Sequence, residues 1–281
     1  MKIMFKKIAI VGVGLIGGSI GLAARRERLS SEVIGIGRRA SSIRKAVRKG
    51  AIDKGGLDLA EGVNDADLII IATPVDRVTQ KIKEAARHAK KGAIIIDVNS
   101  TKLQVTKFAD KVIPEGVYFV GTHPIAGSEE SGVLFASPGL FRDTVCIVTS
   151  TKYTDKRALE KIKIFWMRLG ARVRTLSPQA HDKVVAGISH LPHLLSYNLC
   201  NSISSGDLKV AGSGFKDTTR IAKSDPAMWS DIFIQNRKNI LRSIGVFQKF
   251  LYQLKDDIIR NRKKELFKKL NAAKQKRDKL G

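Results

Sequence analysis

Four short segments of this chain combine residue types at spacings that could do chemistry. Gly12-Val13-Gly14-Leu15-Ile16-Gly17 matches the G-x-G-x-x-G pattern of a phosphate-binding turn. The other three gather histidine, hydroxyl, carboxylate and lysine side chains, the groups used for proton transfer and anion binding. They are Asp97-Val98-Asn99-Ser100-Thr101-Lys102, Gly121-Thr122-His123-Pro124-Ile125-Ala126-Gly127-Ser128-Glu129 and Ser189-His190-Leu191-Pro192-His193. The i, i+3 spacing of His190 and His193 would also suit a metal pair, but no motif supplies a third ligand, so no metal is expected.

These segments need elements to position them. Lys7–Val11 is a short apolar strand and Ser19–Arg28 the helix after it; Glu32–Ile36 and Ser41–Lys49 repeat the pattern, the second helix ended by Gly50. Asp67–Thr73, stopped by Pro74, Ala93–Val98 and the shorter Tyr118–Gly121 are apolar runs, as strands buried on both faces require. Thr144–Thr149 and Arg172–Leu176 read as two further strands around a helix near Lys156–Leu169. The fold class that follows is α/β, a doubly wound Rossmann-type parallel sheet over residues 1–177. From Ser177-Pro178 onward the periodicity is helical, which predicts an all-α C-terminal domain over 178–281 with helices near Ala180–Ser205, Asp207–Lys223, Pro226–Gln253 and Asp257–Lys276. Pro192 should kink the first of these, since it removes a backbone donor and crowds the preceding turn.

In a doubly wound sheet ligands sit beyond the carboxyl ends of the strands, where Ser100 and His123 fall. The glycine motif follows a strand and opens a helix, so its physical logic is complete. Gly12 permits the tight turn, Gly14 lets backbone approach a pyrophosphate, and Gly17 allows helix and strand to pack closely, with the helix N-terminus favouring the phosphates. An NAD-binding chain usually ends the second strand with a carboxylate for the ribose 2′-hydroxyl. Here Gly37 stands at that place and Arg38-Arg39 follow, which favours NADP while leaving NAD open.

Composition sets the outer bounds. The 281 residues, 43% hydrophobic and 27% charged, are enough for a sizeable core and about two domains. The basic tip and apolar start imitate a secretory signal, but glycines at 12, 14, 17, 18 and 21 suit a turn and helix start better than a membrane-inserting helix. No apolar stretch is long enough to span a membrane. Cys146 and Cys200 both read as buried thiols without a C-x-x-C partner, which fits a reducing cytoplasm. The formal charge of +25 is spread along the chain and densest over Arg260–Lys279, where Leu266, Phe267 and Leu270 keep helical spacing ahead of a frayed, solvated end. Such a charge favours anionic ligands, and no recognisable nucleic-acid-binding module accompanies it.

The ordered series of motifs resembles the prephenate/arogenate dehydrogenases of tyrosine biosynthesis over roughly residues 6–255. It comprises the G-x-G-x-x-G-G-S turn, A-T-P at 72–74, D-V-x-S-x-K, H-P-I-A-G-S-E, S-H-L-P-H, and F-K-D-T-T-R-I-A-x-S-D-P-x-M-W at 215–229. The resemblance implies hydride transfer from the ring carbon bearing the hydroxyl to NAD(P), then loss of the ring carboxylate as carbon dioxide. Prephenate would give 4-hydroxyphenylpyruvate, and arogenate would give tyrosine; the residues do not choose between them. By the same resemblance His123 would accept the hydrogen bond or proton of the ring hydroxyl. Ser100 would support that hydroxyl and the nicotinamide, and Arg220 would hold the side-chain carboxylate in its planar fork. His193, with His190 nearby, would line the substrate pocket, and Ser128, Glu129, Lys216, Asp217 and Trp229 match pocket or gate positions. The dinucleotide would lie on Gly12, Gly14, Leu15, Ile16, Gly17, Arg38, Arg39, Thr73 and Pro74.

No metal is required in that chemistry, because the oxidised ring carbonyl is the electron sink. The resemblance also implies a homodimer built on the C-terminal helices, and the length leaves no room for a fused chorismate mutase. The rival enzyme reading, a two-domain dehydrogenase of hydroxy acids or imines, commonly relies on a lysine in the helical domain, whereas the cluster here is rich in histidine. The remaining reading, a non-catalytic nucleotide or nucleic-acid binder, rests on net charge alone. The histidine assigned no chemistry is His181, expected at a helix start, and His88 is expected at the surface.

Overall fold

The computed structural model describes residues 3–127 and 130–280. Strands and helices alternate at first: β1 (Phe5–Val11), α1 (Leu15–Arg26), β2 (Ser30–Ile36), α2 (Ala40–Arg48), β3 (Lys54–Gly56), α3 (Leu59–Val63), β4 (Leu68–Ile71), α4 (Val78–His88), β5 (Ile94–Asp97) and α5 (Leu103–Val112). Then come β6 (Tyr118–Ile125), β7 (Val145–Thr149), α6 (Lys156–Arg168) and β8 (Arg172–Leu176). One sheet holds all eight strands in the order β3-β2-β1-β4-β5-β6-β7-β8. The order reverses between β1 and β4, and that reversal opens a crevice at the carboxyl ends of the two strands.

The period-two alternation of a strand divides the core between the two faces of the sheet. From β1, Ile8 and Ile10 join a layer with Ile20, Phe141, Phe165 and Trp166, while Ala9 and Val11 join one with Ile69, Ile82 and Ile95. β4 (Leu-Ile-Ile-Ile) and β5 (Ile-Ile-Ile-Asp) are buried at every position because helices cover both faces. α6 starts where the Asp155 carboxylate accepts from Ala158 N–H at 2.7 Å and turns Ala158, Ile162, Phe165 and Trp166 inward.

Two features depart from the sequence reading of an all-parallel sheet. β7 runs antiparallel to β6 and β8 runs parallel to β7, so the sheet is mixed at that edge. β6 also continues past Gly121 to Ile125, since β7 supplies partners over Gly121↔Thr149 through Ile125↔Val145. His123 therefore lies within a strand rather than after one. Relative to β5 it still projects outward, because the β5–β6 pairing ends at Asp97↔Gly121.

The following chain is helical: α7 (Pro178–Val185), a π turn (Ala186–His190), α8 (Leu191–Asn201), α9 (Ser213–Thr219), a 3₁₀ turn (Arg220–Lys223) and α10 (Pro226–Gln235). Pro192, expected to kink this stretch, comes two residues after that π turn and sits in the first turn of α8, where a missing donor costs least. The change of character at Ser177 is not where contacts divide. They divide between Asn236 and Arg237, since α7–α10 pack on the carboxyl edge of the sheet. There the Asp182 carboxylate accepts from Lys102 N–H at 2.8 Å and Leu103 N–H at 3.1 Å, and Thr101 donates to Gln235 at 2.7 Å.

The second unit holds α11 (Arg237–Ile259) and α12 (Lys263–Asp278). Ion pairs of Arg262 with Asp256, at 2.7 Å, and of Lys269 with buried Asp257 tie the two. The tail expected to fray stays helical to Asp278, although α12 buries none of its residues. Cys146 is buried, but Cys200, read from its apolar surroundings as buried, is only half-covered. No helix among the described residues is long and apolar enough to cross a membrane.

Candidate active site

The glycine turn sits at the crevice where the sheet order reverses. Gly12 has φ +101°, and a Cβ there would lie 2.4 Å from the Ala72 carbonyl oxygen at the end of β4. A Cβ on Gly17 would lie 2.1 Å from the Gly12 carbonyl oxygen, so no larger residue fits between turn and helix. Gly14, by contrast, faces open space just ahead of Leu15 and Ile16, the first residues of α1. A cradle open at its centre and closed at its edges suits an anion on the free N–H groups of a helix start. Thr73 and Pro74 follow β4 beside it. Gly37 follows the last residue of β2, and Arg38 and Arg39 are exposed just after it, with Arg39 at the start of α2.

Along the same edge of the sheet the chemical residues converge. His123 is 8% exposed, and its Nδ1 lies 2.8 Å from Nε2 of His181. Nδ1 of His181 lies 2.8 Å from a carboxylate oxygen of Asp182. Burial holds the His123 pKa well below that of a free imidazole, and the charges of His181, Lys102 and His190 push the same way. His181 is also lowered by burial, with the Asp182 carboxylate opposing the shift. Asp182 itself is held below the ordinary carboxylate range, because its hydrogen bonds from His181 and two backbone N–H groups outweigh its burial. The cluster at neutral pH is thus two neutral imidazoles ending on a carboxylate. Beneath it Lys102 and Asp97, both fully buried, form an ion pair, and Thr122 donates to the Asp97 carbonyl at 2.5 Å.

The helical segments bring His190 and His193 to this place. His190 is buried, with its pKa pushed down to about 4 chiefly by burial, and its Nδ1 is 3.2 Å from Asn236 Nδ2. The same Asn236 amide donates to the Asp182 carbonyl at 2.8 Å. His193 stacks on the Trp229 indole with centroids 3.6 Å apart, and Nδ1 of His193 donates to the Ser189 carbonyl at 2.9 Å. Trp229 packs with Val75, just past β4, so this group stands over the crevice. The Arg220 cation reaches His193 and contributes to lowering its pKa, after burial. Ser100 is half-buried after β5, while Lys216 and Asp217 lie exposed on α9. Ser128 and Glu129 lie outside the described residues.

Buried polar atoms without partners are rare, each costing about 1–3 kcal/mol, and mark places where a ligand or water completes the set. Along this edge of the sheet and its helical cover such atoms include Thr73 Oγ1, Asp97 Oδ1, Asn99 Nδ2, His190 Nε2 and Trp229 Nε1. Asp97 ends β5, Thr73 and Asn99 follow β4 and β5, and the other two belong to the helical cover. The arrangement fits a dinucleotide in the crevice and a polar ring-bearing substrate beside it. Among the described residues no group of three or more His, Cys, Asp or Glu could hold a metal ion.

Residue types alone did not identify the His181–Asp182 pair or the buried Asp97–Lys102 pair. A signal for the second was available: an acid at the end of an apolar run and a lysine five residues on bracket Ser100 in a segment otherwise bound for the core. For His181 the helix-start position is as expected, and its burial depends on which face of α7 meets β6. His88 is exposed.

Comparison with known proteins agrees with this architecture. Residues 20–175 match the family model described as prephenate dehydrogenase, nucleotide-binding domain, and residues 177–272 match prephenate dehydrogenase, dimerization domain. The chain is 35% identical to the prephenate dehydrogenase of Bacillus subtilis (strain 168), across 100% of this chain and 77% of that one. Its fold superposes with a TM-score of 0.92 on a prephenate dehydrogenase from A. aeolicus in complex with hydroxyphenyl propionate and NAD+, at 35% identity and 98% coverage of each chain. A Synechocystis arogenate dehydrogenase superposes at 0.83, with 31% identity, covering 98% of this chain and 100% of that one.

Proposed function

The chain belongs to the prephenate dehydrogenase family, and from that premise we propose that it converts prephenate to 4-hydroxyphenylpyruvate by oxidative decarboxylation. The observation that carries the reading is His123: a buried, neutral imidazole set beyond the end of β5, with His181, Lys102 and His190 close by. When bound, a nicotinamide dinucleotide supplies the hydride acceptor for the ring carbon that bears the hydroxyl. His123 takes the hydroxyl proton as that carbon becomes a carbonyl, while Ser100 holds the same oxygen. Loss of the ring carboxylate as carbon dioxide drives its bonding electrons into the ring and leaves a phenolate oxygen, to which His123 returns the proton. The proton is borrowed and given back, so one base suffices.

Arg220 holds the side-chain carboxylate; His190, His193 and Trp229 enclose the ring, with Lys216 and Asp217 at the rim. Replacing Arg220 by Gln is expected to raise the substrate KM by about 10–100-fold with a smaller change in kcat, as loss of a charge-assisted bidentate contact should. If only dinucleotide binding weakened, Arg220 would belong elsewhere.

Arogenate is the second reading, supported by the similarity to an arogenate dehydrogenase. For the cofactor we favour NADP over NAD, because Gly37 places no carboxylate against a 2′-phosphate and Arg38 and Arg39 follow it. An assay of prephenate and arogenate, each with NAD and NADP, tests substrate and cofactor together; turnover with neither substrate would end the proposal. Changing Arg38 to Ser is expected to raise the KM for NADP by about tenfold and leave that for NAD within about twofold. An equal change for both cofactors would remove Arg38 from the 2′-phosphate site.

We divide the chain functionally at residue 177, with the dinucleotide before it and the substrate helices after. A homodimer through the C-terminal helices is part of the reading. On α11 Leu241, Val246, Phe250 and Leu251 are each more than half exposed, which a subunit interface would cover. The free cysteines suit the cytoplasm.

A further inference from the structure

The tautomer of His123 follows from a chain of hydrogen bonds that ends on a group unable to donate. The Asp182 carboxylate already accepts from Lys102 N–H and Leu103 N–H, and it lies 2.8 Å from Nδ1 of His181. An ionised carboxylate only accepts, so the proton of neutral His181 sits on Nδ1 and its Nε2 is a lone pair. That lone pair is 2.8 Å from Nδ1 of His123, which must then carry the His123 proton. Nε2 of His123 is left with the lone pair that a base needs.

We propose that His181 and Asp182 are positioning residues for His123, holding it as the Nδ1–H tautomer and sharing the positive charge it acquires while the ring hydroxyl is oxidised. The proposal rests on the reading of His123 as the group that borrows the hydroxyl proton. When Nε2 of His123 gains that proton, the Nδ1 proton shifts toward Nε2 of His181, and the charge moves next to the Asp182 carboxylate. The shift reverses when the phenolate oxygen takes the proton back, so no net proton is gained or lost.

The groups that bias the pair are all within the cluster. Lys102, Asp97 and Asp182 face His181; Lys102, His190 and His181 face His123. The Cys146 thiol, raised by burial and so neutral, is hydrogen-bonded to the His123 backbone from β7. Of these only Asp182 is an anion bonded directly to the pair, and its removal should make the pair harder to protonate.

The test uses the full chain, labelled with ¹⁵N, and long-range ¹H–¹⁵N spectra of the histidine rings at neutral pH without substrate. His123 and His181 should both report the Nδ1–H tautomer; a His123 ring protonated on Nε2 would overturn the proposal whatever the variants do. In Asp182→Asn, kcat should fall by about 10–100-fold, with the substrate KM within about threefold, and the acid limb of the kcat profile should move to lower pH. A limb that stays in place, or moves up, would make Asp182 a merely structural residue. His181→Gln, whose carbonyl can accept from His123, should retain about tenfold more activity than His181→Phe; equal losses would count against the relay. Full turnover in a His123→Asn control would instead defeat the functional reading itself, which keeps the two failures apart.

Discussion

Replacing His123 by Asn is expected to lower kcat by about 10²–10⁴-fold, the range that a positioned proton acceptor contributes. The substitution is chosen because it separates chemistry from architecture. Asparagine is of comparable reach and its amide can still donate to Nε2 of His181, so the bond that now measures 2.8 Å has a replacement. What disappears is a nitrogen basic enough to take a proton from the ring hydroxyl. The dinucleotide's dissociation constant should stay within about threefold, because the glycine turn is formed by β1 and α1 and His123 belongs to β6. Steady-state kinetics with a fluorescence titration of the dinucleotide check both halves. A variant with wild-type turnover would take His123 out of the mechanism.

Why burial favours this role can be worked out in sign. Desolvation penalises the imidazolium, so the pKa of His123 falls and the ring remains a competent acceptor well into the acid range. A surface histidine would lose that competence near pH 6.5. The same burial makes the transient imidazolium costly, and a carboxylate two hydrogen bonds away offsets part of the cost without itself touching the substrate.

How much of this was legible beforehand differs by element. β4 and β5 could be located from apolar runs alone, because burial on both faces leaves no alternation to misread. β3 could not: Lys54-Gly55-Gly56 is an exposed edge strand with no apolar signature, held only by pairing to β2. α3, five residues long, is equally faint, although Asp58 caps it by accepting from Glu61 N–H at 3.1 Å. The direction of β7 leaves no trace in its residues, since Val145–Thr149 would be as apolar in a parallel strand. That direction is what lengthens β6 and places His123 inside it. In the site, the glycine turn and His123 were readable because their spacing carries their mechanics. His181 was not, because a helix-start position says nothing about which neighbour its ring meets; only the docking of α7 against β6 and α5 makes it a partner of His123.

Replacing Lys102 by Met is expected to destabilise the fold by about 3–5 kcal/mol, the usual cost of leaving one member of a buried ion pair alone. Lys102 and Asp97 are both 0% exposed, and Oδ1 of Asp97 already lacks a partner; the Asn99 N–H, 3.2 Å from Oδ2, is a neutral donor and does not replace the lysine's charge. The pair is better understood as a fixture of the site than as a source of stability, since burying two charges cancels much of their attraction. That argument has a measurable consequence: the double variant Asp97→Leu with Lys102→Met should be more stable in urea unfolding than Lys102→Met alone. Its catalytic effect should appear in the pH profile of the single variant. The Lys102 cation lowers the pKa of His123, so removing it, with Asp97 left behind, should move the acid limb of kcat to higher pH, opposite to the shift expected of Asp182→Asn. A double variant less stable than the single would mean that the pair contributes net stability. An acid limb unmoved in Lys102→Met would mean that its charge does not reach the imidazole.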